Sequence, residues 1–354
     1  MSDPRTLRIL EIDGGGERGY LSLQFLKKFV DQWGIPPEDI WKHFDVICGT
    51  SVGAIMSLAL ASGLTPDQMQ PFFTVQGPYI FSLTSLIPSV RPNLAAKIAL
   101  ILSNTPFYAS SGPTAEDYGA GLLYKTVQDT LGVQTLQDLK TNVIIPAYED
   151  DTKTYVLFSN LDYPEFIGQN ELASNVGLAS GAAPVYLPPL VMNGHSYLDG
   201  GIYQNNPGQF GINIAKMIKP RANRFCVLSI GTGLGETGFD PGNPSMTDPR
   251  ISPELMETLN NLTGPTETIE QIFSLFNIAS TGGQESVALN MLLQSKYTLD
   301  QFYFYRFQPQ LDPNLNTELD NTDPEILEYY DDLANEYYNN DAAAITNFLG
   351  HLMA

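Results

Sequence analysis

The stretch that most constrains this chain is Gly49-Thr50-Ser51-Val52-Gly53, a serine set between two glycines. Before it, Phe44 to Cys48 contains β-branched Val46 and Ile47 and is too short for a helix, which predicts a buried strand. After it, Ala54 to Ala61 is apolar nearly all round, which predicts a buried helix. A strand that feeds straight into a helix belongs to an α/β architecture. Glycine on both sides of Ser51 permits a turn too tight for a side chain. Such a turn lifts the hydroxyl above the sheet at a helix N-terminus, where the dipole favours developing negative charge. This is the G-x-S-x-G nucleophile elbow in its expected setting.

Upstream, Leu7 to Ile12 predicts a strand that runs into Asp13-Gly14-Gly15-Gly16-Glu17-Arg18-Gly19. A helix follows, with Leu21, Leu23, Phe25, Leu26, Phe29 and Val30 as its apolar face. Three consecutive glycines let backbone N–H groups converge on a shared space. Together with the N–H of Val52, the residue after the serine, they could form an oxyanion hole. The same loop satisfies G-x-G-x-x-G, the dinucleotide fingerprint. That reading wants an acid ending the second strand, whereas Asp31, Glu38 and Asp39 flank a Trp-Gly-Ile-Pro-Pro turn, so it is the weaker one. Arg18 fits two roles equally, a surface ion pair or a contact with an anionic head group.

A serine needs a base to attack at neutral pH. Strands are predicted at Thr141 to Ala147, Tyr155 to Ser159, Val185 to Met192, His195 to Leu198 and Phe225 to Ile230, with a hairpin turn at Asn193-Gly194. The fourth of these strands ends in Asp199-Gly200-Gly201, where a carboxylate can point over the sheet or simply close its own turn. The chain has three histidines. Ser51, Asp199 and His351 satisfy the chain order of a Ser-Asp-His triad, but His351 follows Gly350 in a poor place for a rigid base. His195 and Asp199 share a strand face about 13 Å apart. Proton transfer from Ser51 to Asp199 itself is the simpler reading.

Four motifs occur in order: Asp-Gly-Gly-Gly-Glu-Arg-Gly from Asp13, Gly-Thr-Ser-Val-Gly from Gly49, Ala-Ser-Gly-Ala-Ala-Pro from Ala179, and Asp-Gly-Gly-Ile-Tyr-Gln-Asn-Asn-Pro from Asp199. The series, spanning Leu7 to Gly233, resembles the patatin-like phospholipase family, relatives of the cytosolic phospholipase A2 catalytic domain. The resemblance implies a three-layer α/β/α fold with a mostly parallel central sheet, and a Ser-Asp dyad without histidine. Carried over by residue, it implies Ser51 as nucleophile, Asp199 as general base and Gly14, Gly15 and Gly16 as oxyanion donors beside Val52. Asp13, Arg18, Gly19, Gly49, Gly53, Gly200 and Gly201 complete the motifs. It implies a lipid acyl hydrolase acting on phospholipid or other glycerolipid esters, with no cofactor and no metal. A general carboxylesterase using His351 and a non-catalytic lipid-binding or storage module are the rivals.

Charge divides the chain. Through Gly235 there are 20 acidic and 15 basic residues, net −5; from Glu236 on, 19 acidic and 3 basic, net −16. No basic footprint for nucleic acid exists. Residues 1–235 are expected to form the hydrolase domain. Residues 236–354 are expected to be an acidic, mostly helical C-terminal extension, a lid or regulatory segment, with helix starts at Ser252-Pro253-Glu254 and Asp323-Pro324-Glu325. Residues 68–115 carry no acid and are rich in aromatic and aliphatic side chains, an apolar insertion suited to an acyl pocket or a lipid surface. No signal peptide or transmembrane helix is expected, so the protein is expected to be soluble, in the cytoplasm or bound peripherally to a membrane, with room for a protein activator. Cys48 and Cys226 lie in apolar runs and read as buried hydrophobes.

Overall fold

The computed structural model describes residues 5–80, 120–184, 186–187, 189–235, 265–297 and 301–354, with backbone alone at 120 and 265–278. Most of the apolar insertion, the linker after Gly235 and the helix start at Ser252 lie outside the described residues.

The predicted strands appear as β1 (Thr6–Ile12), β2 (Val46–Gly49), β3 (Asn142–Glu149), β4 (Thr154–Phe158), β5 (Leu190–Met192), β6 (His195–Asp199) and β7 (Arg224–Ile230). An eighth, β8 (Gln301–Phe307), completes the sheet. Their order is β5-β6-β3-β2-β1-β7-β8, with β4 on β3. From β3 through β8 the pairings are parallel; β4, β5 and β6 add antiparallel partners. Helices α1 (Gly19–Trp33), α2 (Val52–Ser62), α3 (Pro66–Pro71), α4 (Gly77–Ile80), α5 (Ala120–Leu131), α6 (Ala173–Ser180), α7 (Gly208–Ile218), α8 (Pro265–Tyr297), α9 (Pro324–Asn340) and α10 (Ala342–Met353) surround it.

Strand alternation sorts the apolar side chains into two cores. Leu10, Ile12, Ile47, Val143, Leu228 and Phe307 face α1, α2, α5, α6, α9 and α10. Leu7, Ile9, Val46, Cys48, Val227 and Phe302 face Ile212 and Ala215 of α7 and Met291 of α8. A sheet buried on both faces, with continuous apolar strands, is what parallel pairing requires. The result is the three-layer α/β/α fold.

Two expectations need correction. Of the predicted strand Val185–Met192, the described Tyr186, Leu187 and Pro189 precede the strand Leu190–Met192, and Pro189 has no N–H to give a ladder; Val185 and Pro188 lie outside the described residues. The described part of the acidic third is built into the sheet and its core. All seven residues of β8 pair with β7, and Ile326, Leu327, Tyr330 and Ala334 of α9 enter the main core. Truncation after Gly235 would therefore strip a strand from the sheet. Charge misled here because it marks the outer face of a helix, not its inner one. Among the described residues, no helix is long and apolar enough to cross a membrane.

Candidate active site

β2 ends at Gly49 and α2 begins at Val52, leaving Thr50 and Ser51 to turn the chain. Ser51 sits at φ 57°, ψ −125°, a conformation that costs a non-glycine residue about 1–3 kcal/mol. Its surroundings hold it there. The Ser51 N–H donates to Ser180 Oγ at 3.0 Å, and its carbonyl accepts from Ala54 and Ile55 at the start of α2. Thr50 donates through its N–H to the Ile12 carbonyl and through Oγ1 to the Gln204 carbonyl. Gly49 and Gly53 are needed for space. A Cβ at Gly49 would lie 2.3 Å from the Gly53 carbonyl oxygen, and one at Gly53 would lie 2.2 Å from the Ile12 carbonyl oxygen.

Asp199 reaches Ser51 through strand register. Cys48 of β2 stands opposite Ile144 of β3, and Asp199, at the end of antiparallel β6, stands opposite Ala147. The two chain ends thus meet over the same short piece of β3. Gly200 confirms the closeness: a Cβ there would lie 2.4 Å from the Pro146 carbonyl oxygen and 3.2 Å from Thr50 Cγ2. Asp199 Oδ1 accepts from the Gly201 N–H at 2.6 Å. Oδ2 is buried without a closed hydrogen bond, and the Ser51 hydroxyl lies close enough to the carboxyl to favour its charged form. Burial pushes the Asp199 carboxyl up to about 7, against smaller opposing effects of the Gly201 N–H and the Ser51 hydroxyl. A carboxyl in that range can take up and release a proton near neutral pH.

The glycine loop lies against the same serine, since a Cβ at Gly14 would be 3.1 Å from Ser51 Cβ. Its N–H groups are not all available, and this corrects the expectation for Gly14. The Gly14 N–H donates to the Asn205 carbonyl, while its own carbonyl accepts from Asn205 Nδ2 and Thr232 Oγ1. The N–H groups of Gly15, Gly16 and Val52 have no acceptor among the described residues. Gly16 takes φ 56°, beside the Leu319 carbonyl that accepts the Glu17 N–H. Gly19 brings α1 against Val52, and a Cβ there would lie 2.9 Å from both Val52 methyls.

These groups open into a cavity of about 770 Å³, its mouth included. Val52, Ile55, Phe72, Leu123, Ala183 and Leu187 form an apolar side suited to an acyl chain. Arg18 lines it too, with no ion-pair partner among the described residues and its Nε unpartnered; burial lowers its pKa from the usual range. Glu17, also on the wall, is buried with neither carboxyl oxygen hydrogen-bonded, and burial raises its pKa well above normal.

No histidine lines the cavity. His43 packs on Trp33, and His195 Nδ1 lies 2.5 Å from Glu149 Oε1. His351 stacks on Tyr303 and its carbonyl accepts from Arg224, the first residue of β7. Since Ile230 closes β7 at the glycine-loop end, His351 sits about 20 Å away along the sheet.

Several residues at the site were not singled out from the sequence. Ser180 and Asn205 stand inside the third and fourth motifs, so their presence was legible but not their contacts. Ser280 Oγ donates to the Gly201 carbonyl, and Gln284 Oε1 accepts from Asn205 Nδ2. Both come from α8, where nothing local marks them. Arg306 carried a signal: it is the single charge in the aromatic run of β8.

The chain is similar to known proteins over about two thirds of its length. A family profile described as "Patatin-like phospholipase" matches residues 10–209. The cGAMP-activated phospholipase of Pseudomonas aeruginosa is 32% identical over 230 residues, covering 64% of this chain and 62% of that protein. The cGAMP-activated phospholipase of Vibrio cholerae is 31% identical over 246 residues, covering 65% of each. The calcium-independent phospholipase A2-gamma of Rattus norvegicus is 28% identical over 247 residues, covering 66% of this chain and 29% of that protein. The matches thus span less than two thirds of these relatives' own length.

Proposed function

The chain belongs to the patatin-like phospholipase family, and on that premise we propose that it is a lipid acyl hydrolase working through a Ser51–Asp199 dyad. The observation that carries this reading is a backbone-strained serine facing a buried carboxylate of raised pKa, in a cavity that no histidine lines.

The chemistry follows from the geometry. Asp199 takes the Ser51 proton as Oγ attacks the ester carbonyl of a glycerolipid. The tetrahedral oxyanion is held by the N–H groups of Gly15, Gly16 and Val52, with the α2 dipole behind the last. Collapse expels the glycerol-side alcohol, which takes the proton back from Asp199. Water, deprotonated by Asp199, then attacks the acyl-serine, and Ser51 Oγ leaves, taking that proton back from Asp199 as the fatty acid is released. The apolar wall holds the acyl chain, and Arg18, a cation with no ion-pair partner among the described residues, meets the lipid phosphate. Peripheral membrane contact would use the apolar insertion, whose described start already exposes Val75 and Tyr79.

Fatty-acid release from vesicles of mixed phosphatidylcholine and phosphatidylglycerol tests this reading, with fluorophosphonate labelling of Ser51 in parallel. The names of the bacterial relatives make cGAMP the activator to add in a second arm. Release together with labelling supports the dyad. Labelling in neither arm would favour a lipid-binding module. Replacing His351 with alanine is expected to leave the rate within about twofold, because its ring lies at the far end of the sheet; a loss of more than tenfold would restore the triad.

Replacing Arg18 with glutamine is expected to raise KM for phospholipid about tenfold, the scale of one charge-assisted contact, and to leave a neutral short-chain ester unaffected. An equal loss on both substrates would make Arg18 a support of the loop.

A further inference from the structure

The glycine loop is gripped from outside the segment that matches the family. The match ends at residue 209, yet Thr232, Gln284, Arg306 and Leu319 all bear on residues 13–17 or on their immediate partner. Of these, Arg306 is the one charged residue, and it is 6% exposed.

Both Nη groups of its guanidinium are engaged at the sheet's C-terminal edge, while Nε is buried without a hydrogen bond. Nη2 donates to Asp13 Oδ2 at 2.7 Å and to Glu285 Oε1 at 2.9 Å. Nη1 donates to Ser229 Oγ at 2.7 Å and lies 3.9 Å from Glu11 Oε2. Ser229 in turn donates to Glu11 Oε2. The far oxygen of Asp13, Oδ1, accepts from Asn206 Nδ2 at 2.8 Å, and Asn206 Oδ1 accepts from the Gly208 N–H. Asp13 is therefore clamped on both carboxylate oxygens, between β8 on one side and the loop after Asp199 on the other.

Three buried carboxyls share this single cation. Burial, with Asp13 beside it, raises the Glu11 carboxyl well above its usual range. Burial also raises Glu285, against the pull of Arg306. Burial alone would lower Arg306; Asp13 and Glu285 more than offset that and raise it. A planar, permanently charged fork suits such a junction, because it reaches Asp13, Ser229 and Glu285 at once.

Asp13 is the residue from which the glycine loop departs. Its N–H extends the β1–β7 ladder onto Ile230, and two peptides further on lie the free N–H groups of Gly15 and Gly16. Glycine has little torsional preference of its own, so the aim of those N–H groups depends on what anchors the loop's ends. Oxyanion donors must meet the developing charge at about 2.7–3.1 Å, and a misplacement of about 1 Å can cost about 100-fold.

We propose that Arg306 is a positioning residue for acyl transfer, fixing the glycine loop through Asp13 so that its N–H groups meet the oxyanion. This rests on the dyad reading above. The segment beyond residue 209 then completes the catalytic site rather than covering it.

The test uses the full chain and a soluble short-chain p-nitrophenyl ester, with active sites counted by fluorophosphonate titration. Wild-type turnover and Ser51 labelling come first; their absence would defeat the dyad reading and not this inference. Given turnover, Arg306→Lys keeps the charge and loses the fork. It is expected to lower kcat per titrated site about 10–100-fold with KM within about threefold. The midpoint of its pH profile stays that of wild type, because Asp199 is untouched. Asp13→Asn is expected to behave alike, and the double variant to be no worse than the poorer single one, since both cut the same connection. A merely structural role would lower melting temperature and the count of titratable sites while leaving kcat per site unchanged. That outcome, or losses that multiply in the double variant, would overturn the proposal. Should Arg306→Lys fail to fold, Glu285→Gln frees one end of the guanidinium with less disruption. It is expected to lower kcat about 3–10-fold at constant KM, and an unchanged kcat would overturn the proposal as firmly.

Discussion

Asp199→Asn is expected to abolish turnover, by about 10⁴-fold, and at the same time to make the protein more stable above pH 7. The loss has the scale of removing the proton acceptor from a serine hydrolase, and Ser51→Ala should match it. The gain follows from linkage. The folded carboxyl titrates at about 7, against 3.8 for an unperturbed aspartate. Between these values the native state keeps a proton that the unfolded chain has released. Stability must therefore fall as pH rises from about 4 to about 7, by about 1.4 kcal/mol per pH unit and on the order of 4 kcal/mol in all. Below pH 4 both states are protonated and the penalty is absent. Asparagine cannot ionise, yet its carbonyl can still accept the Gly201 N–H, so the variant escapes this share of the fall. Urea midpoints at pH 4 and pH 8 check this; both proteins should drop between them, because Glu11, Glu17 and Glu285 are also raised, but wild type should drop further by the Asp199 share. A variant less stable than wild type at pH 8 would mean that the buried charge is compensated by something other than Ser51 and Gly201. The same titration sets the rate. The kcat/KM of wild type should rise tenfold per pH unit up to a midpoint near 7 and then level off.

The local half of this site was legible in the sequence. Strand, turn and helix around Ser51 are contiguous, so periodicity and two glycines suffice to read the elbow. Asp199 was legible as a strand-end aspartate before two glycines, but its meeting with Ser51 depends on the antiparallel register of β6 on β3, which no spacing encodes. The family resemblance supplied that partnership. The histidine rival failed for the same reason in reverse: chain order admits His351, and the sheet puts it at the wrong end. The buried cluster of Glu11, Asp13, Glu285 and Arg306 was illegible because its members come from β1, the glycine loop, α8 and β8. The break drawn at Gly235 hid it further. Net charge was read there as a domain property, although Glu325, Glu328, Asp332 and Glu336 of α9 are exposed while its apolar stripe enters the same core as α1.

Gly53→Ala is expected to be the most damaging single-methyl addition in the molecule's elbow, costing at least about 4 kcal/mol and leaving little folded protein. Overpacking in a core that can yield costs about 1–3 kcal/mol. Here nothing can yield. The new Cβ would lie 2.2 Å from the Ile12 carbonyl oxygen, 2.5 Å from that of Asp13 and 2.8 Å from the Ile12 carbonyl carbon. All three are backbone atoms at the end of β1, where the strand is held by β2 and β7 together. Relief requires α2 to lift away from the sheet. That movement would carry off the Val52 N–H and break the bonds from Ala54 and Ile55 that hold the Ser51 carbonyl in its strained turn. Gly282→Ala, the same chemical change inside α8, has no heavy atom of the described residues within 4 Å of its new methyl beyond its own stretch of helix. It should stabilise by up to about 1 kcal/mol, because alanine loses less backbone freedom in a helix. Thermal denaturation of the two variants side by side decides the matter. A Gly53→Ala protein that melts within a degree or two of wild type would show that α2 can move off β1 without harm. The elbow would then be a looser device than the contacts of Gly53 imply, and Ser180 alone would have to hold the serine in place.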